Sequence, residues 1–153
     1  MALRNDAIVR VANELNSGIA VLAGTTIGTL GSNTNGVTIE TAGTYGTRII
    51  SLIASTDNTA AVDVFLYILR GGSTVVPVGQ VNVPINAGNV SGSGTKVVDF
   101  LNGINIPGLP FDNTGRQYIP LVAGDVLRAT TLANLVAGRS LYITAFAQDF
   151  VAP

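Results

Sequence analysis

The chain of 153 residues has no histidine, no cysteine and no tryptophan, and a single lysine, Lys96. Missing cysteine excludes a disulfide framework and a zinc-thiolate site. Missing histidine removes the other usual transition-metal ligand, so only oxygen donors remain. Chemistry near neutral pH draws on His, Cys, or carboxylates and Lys of tuned pKa, and two of those types are absent altogether. Charge is also scarce. Eight basic and nine acidic residues make up 11% of the chain, where an ordinary soluble domain carries about a quarter. The net charge is −1 and the basic residues are scattered from Arg4 to Arg139, which leaves no electrostatic footprint for nucleic acid. These absences predict a structural or binding protein with no catalytic residue, no metal and no cofactor.

Long apolar runs are missing too. The most apolar early stretch, Gly18 to Leu30, is short and diluted with Gly and Thr, so no membrane partner is expected. The opening MALRNDAIVRVANEL never forms the apolar centre of a secretory signal, which predicts synthesis in a cytoplasm. What is present is 47% hydrophobic residues among many Thr, Asn, Ser and Gly. That surface must be covered by neutral polar groups or by other chains. The length suits one domain, able to bury roughly 70% of its unfolded surface.

Only residues 1–16 show a helical period: Ile8, Val11, Ala12 and Leu15 fall at i, i+3, i+4 and i+7, Asn5 or Asp6 can cap the start, and Asn16 to Gly18 end it. This short amphipathic helix or arm, residues 1–17, is marginal alone, so its stripe must dock on its own domain or on a neighbour. Residues 18–153 then read as short β-branched runs punctuated by Gly, Asn, Asp and Ser. Such a pattern predicts a single antiparallel β-sandwich. Strands are expected near 19–30, 36–41, 47–55, 60–70, 74–85, 96–101, 117–122, 125–132 and 140–149. In Val62 to Arg70 both faces are largely apolar, so this strand is central or its outer face is covered. Asn35-Gly36, Asp57-Asn58, Gly71-Gly72 and Asn102-Gly103 supply turns, where a positive φ suits such residues. The Leu-Val-Ala-Gly-x-x-Leu pattern occurs at both Leu121 and Leu135 and reads as one turn-into-strand solution used twice.

Chemistry-bearing motifs are weak. Gly88 to Lys96 lacks the spacing of a phosphate-binding loop, so it reads as a linker. Asp112-Asn-Thr-Gly115 offers one carboxylate where calcium needs several oxygens, and reads as a turn. Glu14 and Glu40, the only glutamates, are not placed as an acid/base pair. Lys96 reads as a solvated side chain at a strand start. Residues 103–114, with Pro107 and Pro110, form an extended connection flanked by Leu109, Phe111, Tyr118 and Ile119. Aromatic anchors in a loop favour protein interfaces, although the same loop could fold back over the sandwich. Candidate interface residues are therefore Ile8, Val11, Leu15, Leu109, Phe111 and Tyr118.

The string GINIPGLPFDNTGRQYIPLVAGDVLRATT, followed by AGRSLYITAFAQDF, resembles small virion proteins of tailed bacteriophages. The resemblance lies in a Pro-Gly-Leu-Pro loop, an Asp-x-x-Gly turn, a strand, and then Ala123-Gly-Asp125. A pairing of two strands around Asp57-Asn58, from Thr47 to Leu69, is similar too, so the likeness covers most of residues 45–150. It implies a head decoration or cement protein with a jelly-roll-like fold, a homotrimer seated on the major capsid protein at the virion surface. A tail or fibre module, binding a receptor or glycan, is the alternative reading.

Overall fold

The computed structural model of the chain describes residues 36–89 and 96–150, together with the backbone of residues 16–23. The expected helix over residues 1–16 falls almost wholly outside this range. Every regular element described is a strand: β1 Asn16–Ala23, β2 Val37–Thr41, β3 Thr47–Thr56, β4 Val62–Arg70, β5 Thr74–Val83, β6 Val98–Asp99, β7 Ile119–Leu121, β8 Val126–Thr131 and β9 Ser140–Asp149. The first strand begins at Asn16, so the arm-to-sandwich boundary expected after residue 17 lies inside β1.

The pairings nest. β4 pairs with β5, β3 with β7, β2 with β8 and β1 with β9, all antiparallel, as in one long hairpin whose tip is the β4–β5 turn. Rolling that hairpin up sets β9 beside β3 and β8 beside β4. One sheet then runs β1-β9-β3-β6, with β7 also on β3, and the other runs β2-β8-β4-β5. This is an all-β sandwich with the strand arrangement of a jelly roll. β6 lies against Ile53–Ala54 and β7 against Thr47–Ile49, so the two share a single lane beside β3, interrupted by residues 100–118. The rolling also corrects one expectation. β3 and β4 do not pair around Asp57-Asn58, because their connection crosses from one sheet to the other.

Alternation explains which residues meet between the sheets. On β4, Val62, Val64, Leu66 and Ile68 face the core, where they join Leu52, Ile119, Leu127, Leu141 and Ile143. β4 is central, and Phe65, Tyr67 and Leu69 on its other face are buried as well, with the Phe65 and Tyr67 rings stacked at 5.8 Å. A register shift between Ile49 and Ser51 on β3 lets Thr47 and Ile49 face inward and then, one residue out of step, Leu52, Ala54 and Thr56.

Three connections at one end are tied by Asn58, which is buried. Its N–H donates to Thr56 Oγ1, its amide nitrogen donates to the Ala60 carbonyl, its Oδ1 accepts the Val136 N–H, and its carbonyl accepts the Asn86 N–H. The repeated Leu-Val-Ala-Gly pattern yields the same turn twice. Gly124 and Gly138 have φ of 80° and 77°, and the Asp125 and Arg139 N–H groups each donate three residues back, just before β8 and β9. Gly36 differs from the turn glycine expected. It is not among the residues of positive φ, and a Cβ there would fall on the Tyr67 hydroxyl. The requirement is for space, not for backbone freedom.

Candidate functional site

Residues 100–118 leave the sheet between β6 and β7, and the reason they hold a shape is that both ends are anchored. Phe100 and Ile106 are fully buried and Leu101 nearly so. Ile106 packs on Gly79 of β5, where an added Cβ would lie 2.9 Å from the Ile106 Cγ2. The segment thus closes the side of the sandwich between the β5 edge and the β6 lane, which is the fold-back outcome.

Side chains satisfy much of the backbone that the ladder releases. Asn102 Oδ1 accepts the Ile104 and Asn105 N–H groups, each at 2.9 Å, and the Asn105 amide donates to the Asp99 carbonyl at 2.6 Å. Buried Gln117 accepts the Gly103 N–H at 2.9 Å and donates to the Ile106 carbonyl at 3.2 Å. Asp112 Oδ1 accepts the Arg116 N–H, the Thr114 N–H and the Thr114 hydroxyl, all within 2.9 Å. These bonds, the one from the Arg116 N–H foremost, hold the Asp112 carboxyl below the usual aspartate range. Asp112-Asn-Thr-Gly115 is accordingly a turn, closed by Asp112 N–H to the Arg116 carbonyl and flanked by an antiparallel bridge of Phe111 with Gln117.

The outcome for the candidate interface residues is uneven. Phe111 stands 60% exposed on the outside of this braced turn. Leu109 is half-buried against the core. Tyr118 is half-buried with its ring 4.5 Å beneath the Arg48 guanidinium, which also lies 5.8 Å from the Phe150 ring. Ile8, Val11 and Leu15 lie outside the described residues. Ile104, 82% exposed, is a second apolar tip that the sequence reading did not single out. Its only signal was the Asn102-Gly103 turn beside it. Lys96 is exposed.

Among the described residues, crevices open on the outer face of the five-stranded sheet, and a smaller and a larger one of these are lined in part by polar side chains. The smaller, about 170 Å³, is lined by Ser55, Thr56, Asp57, Gly88, Asn89 and Tyr142. Its carboxylate is engaged: Asp57 Oδ1 accepts the Ser140 N–H and Oδ2 lies 3.7 Å from Arg139. The larger, about 340 Å³, lies where β3 passes the root of the insertion and is lined by Ile50, Ser51, Asp99, Leu101, Arg116 and Gln117. Among the described residues no group of three or more carboxylates is placed to hold a metal ion. No protein-family model matches the chain, and no curated protein matches it.

Proposed function

We propose that the protein is a structural, non-enzymatic component of a tailed-phage virion that decorates the outside of the icosahedral head. It is made in the host cytoplasm, bridges neighbouring capsomers as a homotrimer, and has the major capsid protein as its partner. The observation that carries this reading is the braced 100–118 insertion, with Phe111 and Ile104 held out from a rigid sandwich. An aromatic anchor that is already ordered loses little freedom on docking, and such anchors dominate interface energetics. The low charge supports the same reading, since few long solvated side chains need immobilising at a permanent contact. Three copies around a local threefold also gain avidity, each further contact being intramolecular once the first has formed.

The jelly-roll arrangement does not decide between virion roles, because the same architecture serves capsids and lectins. The competing reading is a tail or fibre module that binds a receptor or glycan. Electron microscopy of particles carrying the labelled chain separates the two. Many copies over the head support decoration, whereas label confined to the tail replaces it. Heads lacking the protein are expected to open at lower temperature, purified protein to restore their resistance, and a Phe111→Ala/Ile104→Ser double variant to bind bare heads weakly while staying folded. Bare heads as robust as decorated ones would end the proposal.

A further inference from the structure

We propose that the 340 Å³ crevice at the root of the insertion binds a neutral saccharide. Hydrogen-bonding capacity is left over there in one place, wherever the chain is located.

The crevice coincides with the break in the β3 lane. β7 stops at Ile49 and β6 begins at Ile53, so neither strand pairs with Ile50 or Ser51 on that side. Asp99 stands opposite Ile53 and so shares the outer face with Ser51. Its Oδ1 accepts the Leu101 N–H at 2.9 Å, which leaves Oδ2 as an acceptor. Arg116 engages Asp112 only through its backbone, and among the described residues its guanidinium has no partner. Gln117 has one amide hydrogen committed to Ile106 and a second one to give. Ser51 adds a hydroxyl, and Ile50 and Leu101 add apolar surface. The size falls in the range of small-molecule sites, about 300 to 1,000 Å³.

A sugar matches that inventory. Each hydroxyl both donates and accepts, so neighbouring hydroxyls can donate to the Asp99 carboxylate and accept from Arg116, Gln117 and Ser51. The C–H face of the ring can rest on half-buried Ile50, beside the small part of Leu101 that stays exposed. One acidic and one basic side chain leave the crevice near neutral, and a neutral ligand avoids the desolvation that a charged one must overcome.

The test uses the full chain and nuclear magnetic resonance of its backbone amides, titrated with glucose, galactose, mannose and N-acetylglucosamine at millimolar concentrations. At least one sugar should shift Ser51, Asp99, Leu101, Arg116 and Gln117 together. Asp99→Asn keeps an oxygen for the Leu101 N–H, and Arg116→Gln alters an exposed side chain, so both should fold. Each should weaken binding about tenfold or more, as loss of a hydrogen bond to a charged group predicts. Glycine and a glutamate-containing peptide are the charged controls. Shifts from those alone, shifts centred on Tyr142, binding unaltered in both variants, or no shift from any sugar would each overturn the assignment. None of these outcomes bears on whether the chain coats a phage head.

Discussion

Strand β4 and the 100–118 insertion both carry many large apolar side chains. In β4 these are buried on both faces, from Val62 to Leu69. In the insertion Phe100, Leu101 and Ile106 turn inward while Ile104 and Phe111 stand in solvent. The difference follows from how each backbone is satisfied. β4 has a partner strand on either side, so its N–H and C=O groups are paired whatever its side chains are, and those are free to be apolar throughout. The insertion has only the short antiparallel bridge of Phe111 with Gln117, flanked by backbone bonds from the Asp112 N–H to Arg116 and from the Tyr118 N–H to Pro110. Beyond its apolar anchors Phe100, Leu101 and Ile106, Asn102, Asn105, Asp112 and Gln117 supply much of the pairing, and the shape between the anchors therefore hangs on a few polar atoms.

Removing volume from β4 should have the largest effect. Leu66→Ala empties a fully buried position facing the five-stranded sheet and should cost about 2 to 5 kcal/mol. Denaturant unfolding should show one transition at a lower midpoint, with the insertion lost together with the frame. A separate early transition of the insertion would mean that β4 does not support it.

Gln117→Ala attacks the other half. It leaves the Gly103 N–H and the buried Ile106 carbonyl without their partner, at about 1 to 3 kcal/mol for a buried group left unsatisfied. Hydrogen exchange should quicken around Gly103 and Ile104 well before amides of β4 respond. Uniform quickening across both regions would contradict the claim that the insertion depends on its own polar atoms.

Much of the frame was legible in the sequence because alternation is a local property. β2, β4, β5, β8 and β9 fall on the β-branched runs between turn residues, and the buried outer face of β4 was visible in Phe65, Tyr67 and Leu69. Sheet membership was not legible. Alternation in β3 and β4 is compatible with a hairpin, and only the distant partners β8 and β9 reveal the crossing. The run over residues 96–101 shortens to Val98–Asp99 because Phe100 and Leu101 turn into the core. In the candidate site, Phe111 could be read from an aromatic in a Pro- and Gly-rich loop. Gln117 could not, since its value lies in bonds to Gly103 and Ile106 that no spacing announces. The crevice is likewise hidden, for Ser51, Asp99 and Arg116 meet only when the sheet is assembled.

Asp112 gives a finer probe, confined to the turn under Phe111. Its carboxyl is held below the ordinary range chiefly by the Arg116 N–H, so the charged form favours the folded turn. That contribution is complete above the ordinary aspartate value and is lost as pH falls through the lowered one. Acidification should loosen the Thr114 and Arg116 amides. Asp112→Ala should loosen them at every pH, and Asp112→Asn, which keeps an acceptor oxygen, should retain much of the turn without the pH dependence. An unchanged turn in Asp112→Ala would show that the bridge to Gln117 suffices.

The smallest expected effect has the opposite sign and lies in the frame. Glu40, on β2, is raised above the usual glutamate range by burial, opposed by the Thr41 N–H and reinforced by the nearby Asp149. An acid whose folded pKa is raised contributes stability below its unfolded value and loses that contribution as pH rises through the folded one. Ionised Glu40 therefore works against the fold at neutral pH. Glu40→Gln keeps an oxygen for the Thr41 N–H, 3.1 Å from Oε1, and removes the charge. The gain should be about 0.5 kcal/mol near neutrality, small because solvent screens a partly exposed group. It should vanish below the ordinary glutamate range, where both forms are neutral. Thermal melts of the two proteins across pH should converge on the acid side and separate as pH rises. Curves that stay parallel would place the effect in packing and not in the charge.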